Sequence, residues 1–151
     1  MSLFSFLTGK KWDNLGVVYT HEQIAAILKN AGVIGDISLR DTEYRCIPTK
    51  DFQELVADYC FFGDIPYRKK VFECEDFVYR MWSSIVVGWA KVTKTEKALA
   101  LACGYMDGVN MRGNRHAWFW YINDKGIPIY YESQTGRYMD MPPLMQDNAE
   151  A

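Results

Sequence analysis

Between Cys74 and Trp89 the large apolar residues Phe77, Val78, Met81, Trp82, Ile85, Val86 and Trp89 recur three and four positions apart, the spacing of one helix face. A face this wide predicts a helix that is buried along most of its length. Glu75 and Asp76 in its first turn suit the positive end of the helix dipole, and Cys74 stands at its start. Such a helix needs a broad apolar surface to pack on. The later chain supplies one: residues 98–106 form an apolar run fit for a central strand, and residues 116–122 (His-Ala-Trp-Phe-Trp-Tyr-Ile) are aromatic and β-favouring. Asn123-Asp124-Lys125-Gly126 signals a turn into a partner strand, Ile127 to Glu132.

Upstream, Thr20 and Gln23 make a capping box for a helix carrying Ile24, Ile27, Leu28 and Ala31 and ending at Gly32. His21 falls in its first turn, expected to be exposed. A short strand from Glu43 to Ile47 ends at Pro48, and Thr49 is expected to cap a second helix with Phe52, Leu55, Val56 and Tyr59 on its face. Helices first and an antiparallel sheet later predict an α+β domain. Residues 1–141 read as one domain, and residues 142–151, which lack periodicity, read as a frayed tail.

Composition excludes several function classes. With 17 basic and 19 acidic residues and a net charge of -2, nothing draws the chain to nucleic acid or to an anionic membrane. The 4 cysteines, at positions 46, 60, 74 and 103, contain no CxxC pair, which weighs against a zinc site or a disulfide framework. The apolar patch Leu3, Phe4, Phe6, Leu7 is too short for a signal-peptide core or a membrane span, so a cytoplasmic setting is expected. Arg68-Lys69-Lys70 reads as a solvated loop.

A thiol becomes a nucleophile when a helix N-terminus and a nearby imidazole lower its pKa. Cys74 has the helix start, and of the 2 histidines only His116, opening a strand in the sheet half, has a placement to match. An imidazole also needs an orienting partner. If the hairpin loop is Asp124-Lys125-Gly126 with Gly126 left-handed, Asn123 pairs with Ile127, Trp118 opposes Glu132 and His116 opposes Gln134. Glu132 is then a diagonal neighbour of His116 on one face, with Gln134 as the rival orienting group. A loop of even length would send both to the other face.

The strings Glu73-Cys74-Glu75-Asp76-Phe77, His116-Ala117 and Tyr131-Glu132-Ser133-Gln134-Thr135 resemble the signatures of a papain-like cysteine protease family. That family includes the C-terminal domain of the Marasmius oreades agglutinin and small bacterial and phage relatives. The resemblance runs from about Tyr44 to Arg137. It implies a papain-like α+β fold, with the cysteine at the start of a central helix packed on an antiparallel sheet. It also implies Cys74 as nucleophile, His116 as general base and Glu132 as orienting acid, with Asp76 and Gln134 at positions that recur in the family. Calcium is a possible requirement by resemblance alone, and no other cofactor is expected. Glu75 stands where the family has Asp, and Ser133 where it has Pro. No Gln, Asn or Ser precedes Cys74 between Asp64 and Glu73 to hold an oxyanion, which leaves the Cys74 N–H and Tyr67.

The leading expectation is therefore a cysteine hydrolase that cleaves an amide bond, with a peptide or protein substrate as partner. Two alternatives stand beside it. One is a non-catalytic binding or assembly protein, phage-associated by resemblance, that keeps the fold; the acidic residues around Cys74 favour it, because their field opposes a thiolate. The other is a cell-wall amidase, since Cys74-Glu75-Asp76-Phe77-Val78 is similar to the Cys-Ser-Gly-Phe-Val string of that group. The bland reading of each residue is also open: Cys46, Cys60 and Cys103 as packing residues, and Glu73, Glu75 and Asp76 as helix-start charges instead of a cation site. Trp82 and Trp89 are expected in the core. Trp118 and Trp120 are left as walls of a cleft or a carbohydrate-stacking surface.

Overall fold

The computed structural model describes residues 9–109, 112–139 and 145–151. Helix α1 spans His21–Asn30, α2 Thr49–Tyr59 and α3 Cys74–Val92. The strands are β1 Val17–Thr20, β2 Ile37–Ser38, β3 Glu43–Cys46, β4 Ala100–Leu101, β5 Cys103–Val109, β6 Arg115–Ile122, β7 Pro128–Glu132, β8 Arg137–Met139 and β9 Met145–Glu150. They form a three-stranded sheet in the order β1-β3-β4 and a six-stranded sheet in the order β2-β9-β5-β6-β7-β8. The chain is thus a mixed α/β protein. Among the described residues no helix is long and apolar enough to cross a membrane.

The capping box forms as expected: Gln23 N donates to the Thr20 hydroxyl and Thr20 N to Gln23 Oε1. The cap of α2 does not. Pro48, whose ring fixes φ near the value a helix entrance needs, takes that position, and its carbonyl accepts from the amides of Asp51 and Phe52. Thr49 instead accepts a hydrogen bond from the Asn123 side chain at 3.3 Å, tying α2 to the β6–β7 turn.

The long apolar run from 98 splits in two. Leu101 belongs to the small sheet and Cys103 to the large one, with Ala102 bridging them through Arg45 and Ile122. Strand β6 explains the aromatic-rich sequence. Ala117, Phe119 and Tyr121 pack into one core with α2 and α3, while Trp120 and Ile122 pack into a second core with α1 and the small sheet. A strand covered on both faces needs bulky residues at successive positions. Phe52 of α2 stacks flat on Tyr121 at 3.7 Å between ring centres.

Two expectations are corrected here. Val86 is half exposed and Trp82 only partly buried, so α3 buries Phe77, Val78, Met81, Ile85, Gly88, Trp89 and Val92. The supposed frayed tail contains β9, which lies between β2 and β5 with Ala149 fully buried; residues 142–144 of that segment lie outside the described residues. Met-Gln-Asp-Asn-Ala-Glu has no apolar alternation to announce a strand, and main-chain pairing on both sides holds it. Gly104 makes room for it: a Cβ there would lie 1.9 Å from the Glu150 carbonyl oxygen.

Candidate functional site

The geometry begins with the hairpin. Gly126 is left-handed (φ 72°), its amide donates to the Asn123 carbonyl at 3.0 Å, and Asn123 N donates to the Ile127 carbonyl at 3.0 Å. The loop is therefore the three-residue one expected from the sequence. The ladder runs from Ile122 opposite Pro128 to Phe119 opposite Tyr131, a register that sets Trp118 across from Glu132. His116 and Glu132 meet, with 2.6 Å between Nε2 and Oε2. Gln134 lies in the turn after β7, not opposite His116, and its backbone amide donates to Glu132 Oε1 at 3.2 Å. The imidazole partner is thus Glu132, which Gln134 steadies. Trp118 is buried with its ring edge-on to the imidazole, 5.0 Å between centres.

Cys74 is the first residue of α3, and it is near enough to the His116 ring to raise its pKa. Cys74 first, and then the Glu132 carboxylate that accepts from the ring, push the imidazole up to about 9 against a smaller desolvation effect. The thiol also reaches Glu75, with 3.2 Å from Sγ to Oε2. The neighbouring acids serve the helix start: Glu73 N donates to Asp76 Oδ2 at 2.8 Å, and Lys70 N, on a left-handed residue, donates to Glu73 Oε1. Among the described residues no group of three or more His, Cys, Asp or Glu is placed to hold a metal ion. Burial pushes the Cys46 and Cys60 thiols up to about 12 and Cys103 higher still, which suits packing residues.

A second feature was not foreseen. A cavity of about 620 Å³ opens beside α3, within the roughly 300–1,000 Å³ of small-molecule sites. Its aromatic lining is Tyr79, Trp82 and Trp89 of α3 and Tyr44 of β3; Arg40, Asp41, Ser83 and Glu150 supply polar groups. Tyr79 is half exposed and lies flat on Tyr105, 5.2 Å between centres at 8°. Trp89 is fixed by donating its indole N–H to the Leu99 carbonyl at 2.9 Å. Of the helix tryptophans, Trp89 is in the core as expected and also reaches the cavity, whereas Trp82 is only partly buried; Trp118 and Trp120 are buried and wall no cleft. The sequence did hold a signal, because Tyr79, Trp82 and Val86 follow one another at spacings of three and four along a second edge of the helix.

Fold and site together define a mixed α/β domain with a thiol–imidazole–carboxylate cluster at the start of its central helix and an aromatic cavity along that helix. The chain belongs to the family described as Agglutinin C-terminal, whose model matches residues 44–138. No curated protein sequence matches it. Among solved structures it is similar to a chain described as the PSL1a-E64 complex, at 24% identity and a TM-score of 0.67 over 80% of this chain. It is also similar to Polyporus squamosus lectin bound to the human-type influenza-binding epitope Neu5Aca2-6Galb1-4GlcNAc, at 22% identity and 0.67 over 85% of this chain. The likeness is one of fold. The chain spans less than half the length of each neighbour, 46% and 49%.

These findings correct the leading expectation. The family is an agglutinin family and a solved neighbour is a lectin, so the reading as a cysteine protease or other peptide hydrolase, with a peptide or protein substrate, gives way to the binding-protein alternative.

Proposed function

We propose that this domain is a non-catalytic carbohydrate-binding module on a papain-like arrangement, the helix from Cys74 packed on an antiparallel sheet. The observation that carries the reading is the cavity beside α3, lined by Tyr79, Trp82 and Trp89 together with Arg40, Asp41, Ser83 and Glu150. A sugar ring has an apolar C–H face and an equatorial rim of hydroxyls, and such a site meets both. Membership of an agglutinin family and a lectin among the structural neighbours support it. In this reading Cys74, His116 and Glu132 are a structural clamp that joins the start of α3 to the β6–β7 hairpin.

The test is retention of the purified chain on an array of immobilised glycans. Retention that survives Cys74→Ala and is lost in Trp82→Ala is the expected result. Retention on no glycan, or loss in Cys74→Ala with Trp82→Ala unaffected, would overturn the reading.

A further inference from the structure

The net charge of -2 averages over a surface on which three cations, Arg68, Lys69 and Lys70, stand in a row. The structure gives this run a fixed shape. Arg68 and Phe72 form an antiparallel bridge, in which the Arg68 amide donates to the Phe72 carbonyl at 3.0 Å and the Phe72 amide to the Arg68 carbonyl at 2.7 Å. The Val71 amide donates to the same Arg68 carbonyl at 2.9 Å, and Lys70 takes the left-handed conformation (φ 62°) that closes the turn. Two contacts tie the turn to α3: the Lys70 amide donates to the Glu73 carboxylate, and the Phe72 ring meets Phe77 edge-on, 4.7 Å between centres. A turn so held displays its side chains with little further ordering on binding.

The displayed side chains are of two kinds. Arg68, Lys69 and Lys70 are exposed and form no ion pair or side-chain hydrogen bond among the described residues, whereas Lys10, Arg80 and Arg115 pair with Asp51, Asp64 and Asp107. Beside these cations Val71 is 63% exposed and Tyr67 49%. Cations alone would suit any polyanion, but an exposed valine gains nothing from a phosphate backbone. An anionic bilayer meets both kinds: its headgroups attract lysine and arginine, and the zone beneath them takes up aliphatic and tyrosyl side chains. We infer that the turn at 67–72 docks this domain on an anionic lipid surface, with Arg68, Lys69 and Lys70 at the headgroups and Val71 and Tyr67 dipping into the interface. Attachment of this kind is peripheral and reversible.

The experiment sediments the whole chain with vesicles of phosphatidylcholine alone and of phosphatidylcholine mixed with phosphatidylserine. Neither lipid carries a saccharide, so the outcome is separate from that of the glycan array. Attachment to the phosphatidylserine vesicles at low salt is expected, with none to phosphatidylcholine alone and loss at high salt, because screening acts on exposed charges. Each cation near an anionic surface contributes a factor of about five, so Lys69→Gln/Lys70→Gln should weaken attachment about 25-fold. Val71→Ser leaves the charge unchanged and should still weaken it about threefold. Lys97→Gln/Lys125→Gln removes the same charge from exposed positions outside the turn and should attach nearly as the unaltered chain does, with circular dichroism as the folding check on every variant. Attachment to neither vesicle, equal attachment to both, or a loss in Lys97→Gln/Lys125→Gln as large as in Lys69→Gln/Lys70→Gln overturns the inference. Indifference to Val71→Ser, with heparin binding that depends on Lys69 and Lys70, overturns the lipid surface in favour of a soluble polyanion.

Discussion

Two regions of the same helix are built on opposite terms. At the start of α3 the polar groups meet one another: Cys74 bonds Glu75, His116 bonds Glu132, and Glu132 takes the Gln134 amide. Further along, Tyr79 and Trp82 line a cavity of about 620 Å³ together with Arg40, Asp41, Ser83 and Glu150. The first arrangement satisfies its own charges and holds elements together; the second leaves surface for a ligand. Reactive residue types close in space are therefore not the same thing as an open site, and in this chain the open site has the less conspicuous sequence.

The strongest way to break the comparison is to remove one end only. Gly104→Ala puts a methyl group 1.9 Å from the Glu150 carbonyl oxygen, a backbone atom that cannot swing aside. Strand β9 should lose its seat on β5, and with it Glu150 at the cavity wall. Overpacking of this kind costs about 3 kcal/mol. Urea unfolding should report that loss, and saccharide binding should vanish, while the His116–Glu132 contact persists in the His116 ring resonances. Unchanged stability would mean that β9 does not depend on this approach.

The other end is probed by pH. A group whose folded pKa is raised stabilises the fold fully below its unfolded value, about 6.5, and that contribution is lost as pH rises through the folded value of about 9. Thermal midpoints should fall across this window by the equivalent of about 1–3 kcal/mol. Glu132→Gln should flatten the slope without touching saccharide binding at pH 6. Cys74→Ala removes the largest cause of the shift, so the His116 midpoint followed by NMR should drop by about one unit or more. A midpoint that stays near 9 would show that Glu132 alone holds the proton.

Much of this was legible because it is local. The three-residue turn at Gly126 fixed which residue meets His116, and spacing alone located α3 and its first residue. Strand β9 was not legible, since Met145–Glu150 carries no alternation and owes its place to a glycine some forty residues earlier in the chain. Gln134 was misplaced for a related reason: the β7 strand ends at Glu132, and the turn that follows takes Gln134 out of the register that hairpin counting extends. The cavity was hidden because a helical wheel counts Trp82 and Val86 with the buried face, and only the three-dimensional position of the small sheet leaves that edge uncovered.

Val86 offers the smallest and most discriminating effect. It is 50% exposed and lines the cavity, although its spacing assigns it to the core stripe. Val86→Thr preserves the side-chain shape and adds one hydroxyl. If the residue were core, the buried hydroxyl would cost about 1–3 kcal/mol. On an exposed cavity edge the change should stay within about 0.5 kcal/mol in urea unfolding. Saccharide affinity should shift by less than about threefold, the scale of one partly wet contact. A large loss of stability would return Val86 to the core and shrink the surface offered beside Trp82. A large loss of affinity with stability intact would move the centre of the site along the helix, away from Tyr79.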